Sequence, residues 1–62
     1  MIEKELHNYL TKRYGCWESI EVKSDNGKSI TLKIDFGDDE IMTVGINRRN
    51  GDKGNYRVFV ES

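Results

Sequence analysis

The chain has 62 residues, with 10 Lys or Arg against 11 Asp or Glu, a net charge of −1 and 34% charged residues. A chain this short buries only about 60% of the surface its unfolded form exposes, so it is expected to form one small domain over 1–62 with a thin margin of stability. A single cysteine, Cys16, and a single histidine, His7, exclude an internal disulfide and a Cys/His zinc staple, and the charge balance lacks the basic excess of a strong nucleic-acid binder.

The first segment predicts a helix. Ile2, Leu6, Tyr9, Leu10 and Tyr14 recur at helical spacing over about 2–14. Glu3 and Glu5 fall in its first turn and Lys12 and Arg13 in its last, each sign complementing the helix dipole. Gly15 supplies the stop. The charges at Glu3, Lys4 and Glu5 argue against a secretory leader, and no apolar run reaches membrane-spanning length. With one cysteine, a cytoplasmic location is expected and no membrane partner.

From Trp17 onward the period switches to two. Ile20 and Val22 alternate with polar residues, as do Ile30, Leu32, Ile34 and Phe36. Met42, Val44 and Ile46 follow, then Tyr56, Val58 and Val60. All are even-numbered. Four strands over about 17–24, 28–36, 41–48 and 54–61 are predicted, each with one apolar face. The fold class is α+β, one N-terminal helix on one face of a four-stranded antiparallel β-meander, α-β-β-β-β.

Parity also predicts the registers. A three-residue loop Asp25-Asn26-Gly27 matches apolar faces, pairing Val22 with Ile30 and Ile20 with Leu32, with Gly27 left-handed in a bulge. A turn at Gly37 to Asp39 pairs Ile34 with Met42 and Leu32 with Val44. A tip of Arg49-Asn50-Gly51 pairs Arg48 with Asp52, Val44 with Tyr56 and Met42 with Val58. It places a bulged Gly54 opposite Ile46 and gives Gly51 a left-handed turn.

Odd positions point away from the helix. Glu21, Lys23, Thr31, Lys33, Asp35, Thr43, Gly45 and Arg57 form a polar outer face, interrupted by Trp17, Ile41 and Phe59. The registers predict a row Trp17, Asp35, Ile41, Phe59 across one end of that face. Clustered aromatics rimmed by charge are enriched at interfaces, although a single exposed apolar residue, or a Trp17 that only covers the helix–strand corner, is ordinary.

Catalytic signals are weak. Gly27-Lys28-Ser29 resembles the end of a phosphate loop, but it opens a strand and position 22 is Val rather than Gly. Gly37-Asp38-Asp39-Glu40 lacks calcium-loop spacing and reads as a solvated turn. His7 and Cys16 share one short segment without an oxyanion device. No enzyme activity, cofactor or metal is therefore expected.

The leading reading is a small protein-binding module that covers a site on another protein. It would be an inhibitor or regulator similar in size and style to phage and mobile-element accessory proteins. Its candidate contact residues are Trp17, Lys33, Asp35, Ile41, Arg49, Lys53, Arg57 and Phe59. The same face could instead stack on a second copy. The alternative is nucleic-acid binding through the basic 48–57 hairpin and outer face, with Arg48, Arg49, Lys53 and Arg57 on phosphates, Lys23 and Lys33 extending the track and Phe59 stacking a base.

Overall fold

The helix forms where the sequence places its apolar stripe. In the computed structural model, which describes residues 2–49 and 54–62, α1 spans Lys4–Tyr14 and buries Leu6 and Leu10 completely. Ile2, Tyr9 and Tyr14 pack on the same core from its margins. Gly15 ends the helix with φ 79°, its N–H donating to the Thr11 carbonyl at 2.9 Å.

Four strands follow: β1 Ser19–Asp25, β2 Ser29–Gly37, β3 Glu40–Arg48 and β4 Tyr56–Glu61. They form one antiparallel sheet in the order β1-β2-β3-β4, the expected α-β-β-β-β meander. Ile30, Leu32, Ile34, Val44 and Ile46 join Leu6 and Leu10 in the core. Fully burying each such side chain is worth roughly 1.5–3 kcal/mol relative to exposure, so the two central strands carry most of the packing energy.

The β2–β3 register is the predicted one, with Ile34 opposite Met42 and Leu32 opposite Val44. Its turn is tighter than the expected Gly37 to Asp39 loop. Asp38 and Asp39 form a two-residue turn at φ 53° and 65°, flanked by the Gly37–Glu40 pair. Two consecutive positive φ values match the right-handed twist of a hairpin, and Asp tolerates them better than most residues.

The other two hairpins differ from the expected register. Val22 faces Leu32 and Ile20 faces Ile34, two residues from the expected Ile30 and Leu32. Gly27 is left-handed as expected, at φ 91°, but the bulge lies at Lys23. The cause is at the tip. The Asn26 Oδ1 accepts the N–H groups of Lys28 at 3.0 Å and Ser29 at 2.8 Å, closing the chain on a side chain.

Between β3 and β4 the shift is larger. Arg48 faces Tyr56 and Ile46 faces Val58, so the expected Val44–Tyr56 and Met42–Val58 pairs do not form, and the expected Arg48–Asp52 pair falls on a residue outside those described. Gly54 lies in the turn at φ 92° rather than opposite Ile46. The expected tip residues Asn50 and Gly51, with Asp52 and Lys53, lie outside the described residues. Phe59 is the extra residue of a second bulge, after which Val60 faces Gly45 and Glu61 faces Val44. Val60 thus leaves the apolar face to which its even number had assigned it.

Besides an irregularity at Phe36 beside the β2–β3 turn, bulges at Lys23 and Phe59 fall on the two edge strands, where an extra residue bends the strand and spoils the edge as a template for further pairing. Each also reverses the parity of the residues beyond it. Asp25, expected in the loop, and Glu61, an odd-numbered residue of the last strand, are thereby turned onto the helix side.

Candidate functional site

The turned-in carboxylates meet partners at the two ends of the helix. Arg48 occupies a core-facing position on β3 and is only 7% exposed. Its Nε and Nη2 donate to Glu3 at 2.7 and 2.9 Å, and its Nη1 and Nη2 donate to Asp25 at 2.9 and 3.1 Å. The Tyr56 hydroxyl donates to the same Glu3 at 3.0 Å. Arg48's bonds hold the Glu3 carboxyl down at about 2 against the opposing effect of burial. They also lower Asp25, which accepts the Gly27 N–H as well. The arginine itself is held more firmly protonated. A buried cation thus has its charge and most of its donors satisfied.

At the other end, the Tyr14 hydroxyl donates to Glu61, and the Arg13 Nε approaches the same carboxylate at 3.4 Å. Burial, and then the bond to Glu61, push the Tyr14 phenol up to about 12. These two clusters pin the helix to the sheet: Arg48 and Glu3 are buried, whereas Arg13 and Glu61 hold the other end at the surface, and the polar groups of both are engaged with one another.

What they leave behind is an outer face with a changed charge balance. Of its acids, Glu21 pairs with Lys23 at 3.5 Å, and Asp35 accepts the Gly37 N–H at 2.8 Å. Asp25 and Glu61 are gone to the helix side. Lys33 and Arg57 remain, and an open groove of about 320 Å³ at the hairpin-tip end is lined by Lys28, Asn47, Arg48, Arg49 and Arg57. Arg48's guanidinium is committed inward. Lys28, Arg49 and Arg57 are exposed, and no carboxylate among the described residues forms an ion pair with them.

Next to this groove lie two exposed apolar side chains. Phe59 is 53% and Val60 40% exposed. The distal edge of the Phe59 ring lies on Gly45: a Cβ placed there would come within 2.8 Å of Cζ and 3.0 Å of Cε2. Gly45 is therefore a seat for the ring, and the opposite side of Phe59 stays open to solvent.

The structure brings together only part of the predicted row. Trp17 is not on the outer face. It packs against the core margin with its ring 5.2 Å from His7 in an edge contact, beyond the start of β1, where it closes the helix–strand corner. Ile41 does face Asp35 but is not beside Phe59, because the β4 register carries Phe59 to Gly45. Ile41 instead lines a second groove of about 400 Å³ with Phe36, Asp39, Glu40, Met42 and Ser62 at the acidic end. Lys53 is outside the described residues. Arg49, Arg57 and Phe59 lie at or next to the basic groove, and Lys33 is on the same face.

Sequence reading missed Lys28, Asn47 and Val60 as neighbours of this site, since their approach depends on the bulge and the tip. It also missed the Arg48 cluster, although an arginine at a core-parity position was a visible signal. His7, Thr11, Cys16 and Trp17 line a shallow groove of about 280 Å³. Among the described residues no group of three or more His, Cys, Asp or Glu could hold a metal ion.

No protein-family model, curated protein or solved structure matches this chain.

Proposed function

We propose that the chain is a non-enzymatic binding module that presents the outer face of its sheet to a partner protein and acts by covering a site there. A cytoplasmic inhibitor or small regulator would work in this way. The observation that carries this reading is the adjacency of Phe59 and Val60, both well exposed, on a face that no second layer covers among the described residues. Aromatic anchors ringed by polar residues are the usual energetic centre of a protein interface. The bulged edges favour use of the face over strand addition.

The test is affinity capture from a host lysate with the wild-type chain, Phe59→Ser/Val60→Ser, and a helix-surface control, Lys12→Ala. The expected result is a partner retained by wild type and control and lost by the double variant. A partner set unchanged in the double variant would overturn the proposal.

A further inference from the structure

We infer that the segment received by this face is a short acidic stretch of polypeptide carrying a large apolar side chain. Its carboxylates would sit on Lys28, Arg49 and Arg57, and the apolar side chain on Phe59 and Val60. The inference rests on the proposed protein-binding reading and adds the chemistry of the partner.

Three observations support it. First, charge is segregated although the net value is −1. The bulges withdraw Asp25 and Glu61, Glu21 is paired with Lys23, and Asp35 is bound to its own turn. The exposed cations at the tip end face solvent without a carboxylate partner among the described residues. Such a patch attracts an opposite charge and sets the orientation of docking.

Second, the cationic and apolar parts are contiguous. Arg57 faces Asn47 on the groove floor, and Phe59 is the next residue but one along β4. An extended peptide rises about 3.3 Å per residue with alternate side chains on one side, so acidic and apolar positions a few residues apart reach both parts. Asn47 adds an amide that can donate to a carboxylate or to a peptide carbonyl.

Third, the layout fits a peptide better than a nucleic-acid strand. The groove cations occupy one end only, while Asp38, Asp39 and Glu40 are exposed at the other end and would repel a long polyanion. A strand of phosphates needs a continuous basic track and aromatic platforms for its bases. Here Phe59 has Val60 beside it, and an isopropyl group offers no stacking surface.

The experiment is selection from a displayed random 12-residue peptide library, followed by fluorescence anisotropy of the enriched peptides. Enriched sequences should carry two or more Asp or Glu within a few positions of a large apolar residue. Arg49→Glu/Arg57→Glu should weaken them at least 10-fold, and raising salt should weaken wild-type binding, since exposed ion pairs are screened within about 10 Å at 0.1 M. Lys-for-Glu peptides should regain affinity on that variant.

Enrichment without acidic excess, no enrichment over the Arg49→Glu/Arg57→Glu variant, or tighter binding of a dT12 oligonucleotide than of any peptide would each overturn the inference. The two readings fail separately. If the lysate partner is lost by Phe59→Ser/Val60→Ser but kept by Arg49→Glu/Arg57→Glu, the acidic segment is wrong and the protein-binding face stands. If both variants keep it, the face itself is wrong.

Discussion

Arg48 and Glu3 meet in a two-point contact, Nε to Oε2 at 2.7 Å and Nη2 to Oε1 at 2.9 Å, with the arginine 7% and the glutamate 13% exposed. This contact joins the residue before the helix to the last residue of β3. Removing one partner of a buried pair costs about 3–5 kcal/mol, because the remaining charge is left desolvated. A 62-residue domain has on the order of 3–9 kcal/mol in total at the usual 0.05–0.15 kcal/mol per residue. Glu3→Ala should therefore remove a large part of the stability in urea titration, and Arg48→Ala should leave the chain largely unfolded. The cost of Glu3→Ala should shrink in an Arg48→Met background, where no cation is stranded.

Acid should act through the same contact. Glu3 is lowered from 4.5 to about 2 in the folded chain, so its contribution is fully present above pH 4.5 and is lost as pH falls toward 2. A shift of this size corresponds to on the order of 3 kcal/mol. Asp25, also lowered, adds in the same direction. Urea midpoints measured between pH 6 and 2 should fall steeply in wild type. In Glu3→Gln they should start lower and fall less. Parallel curves would show that other carboxylates govern acid unfolding.

The sequence carried the helix, the four strands and the even-numbered core because burial imposes a period that one-dimensional reading detects. It did not carry the outer hairpin registers. A bulge costs one residue and leaves no periodic trace, so Lys23 and Phe59 looked like ordinary alternation. The bulges go with contacts that exist only in three dimensions: with the Asn26 tip closed, Asp25 reaches Arg48, and Glu61 reaches Tyr14. The candidate site inherited this error. Arg49, Arg57 and Phe59 were visible as exposed side chains, whereas the positions of Trp17 and Ile41 relative to them depended on registers that the bulges reset.

At the other end of the helix, the sign reverses at high pH. Tyr14 is raised from 10 to about 12, so the neutral phenol is favoured in the folded state. The stability this represents is present below pH 10 and is lost as pH rises toward 12. Ultraviolet titration of tyrosinate should show one of the three tyrosines ionising last. Glu61→Gln should lower that pKa, and Tyr14→Phe should delete the late step. A late step that survives Tyr14→Phe would assign it to another tyrosine.

The seat of Phe59 is testable without a partner. A methyl group at Gly45 would lie 2.8 Å from Cζ, inside any real contact, but the obstacle is the far end of a half-exposed ring. The ring can swing outward, so Gly45→Ala should cost less than the 1–3 kcal/mol of a true core overpacking. The Gly45 Hα resonances should be shifted upfield by the ring in wild type. They should return toward ordinary values in Phe59→Leu. In Gly45→Ala the displaced ring should weaken partner capture. Ordinary Gly45 shifts in wild type would mean that the ring is not seated.

The Asp38-Asp39 turn should be improvable. Both residues have positive φ, and a left-handed conformation costs an L-residue roughly 1–2 kcal/mol, somewhat less for Asp and Asn. Two-residue turns of this kind favour Asn-Gly, because glycine takes positive φ without a Cβ clash. Asp38→Asn/Asp39→Gly should therefore stabilise the chain by about 1 kcal/mol, raising Tm by about 4–8 °C for a domain of this size. Removing two carboxylates from the cluster with Glu40 reduces like-charge repulsion and pushes the same way. The basic groove lies at the opposite end of the sheet, so peptide affinity there should change only slightly. A fall in Tm would show that the acidic turn makes a contact that its backbone conformation does not reveal.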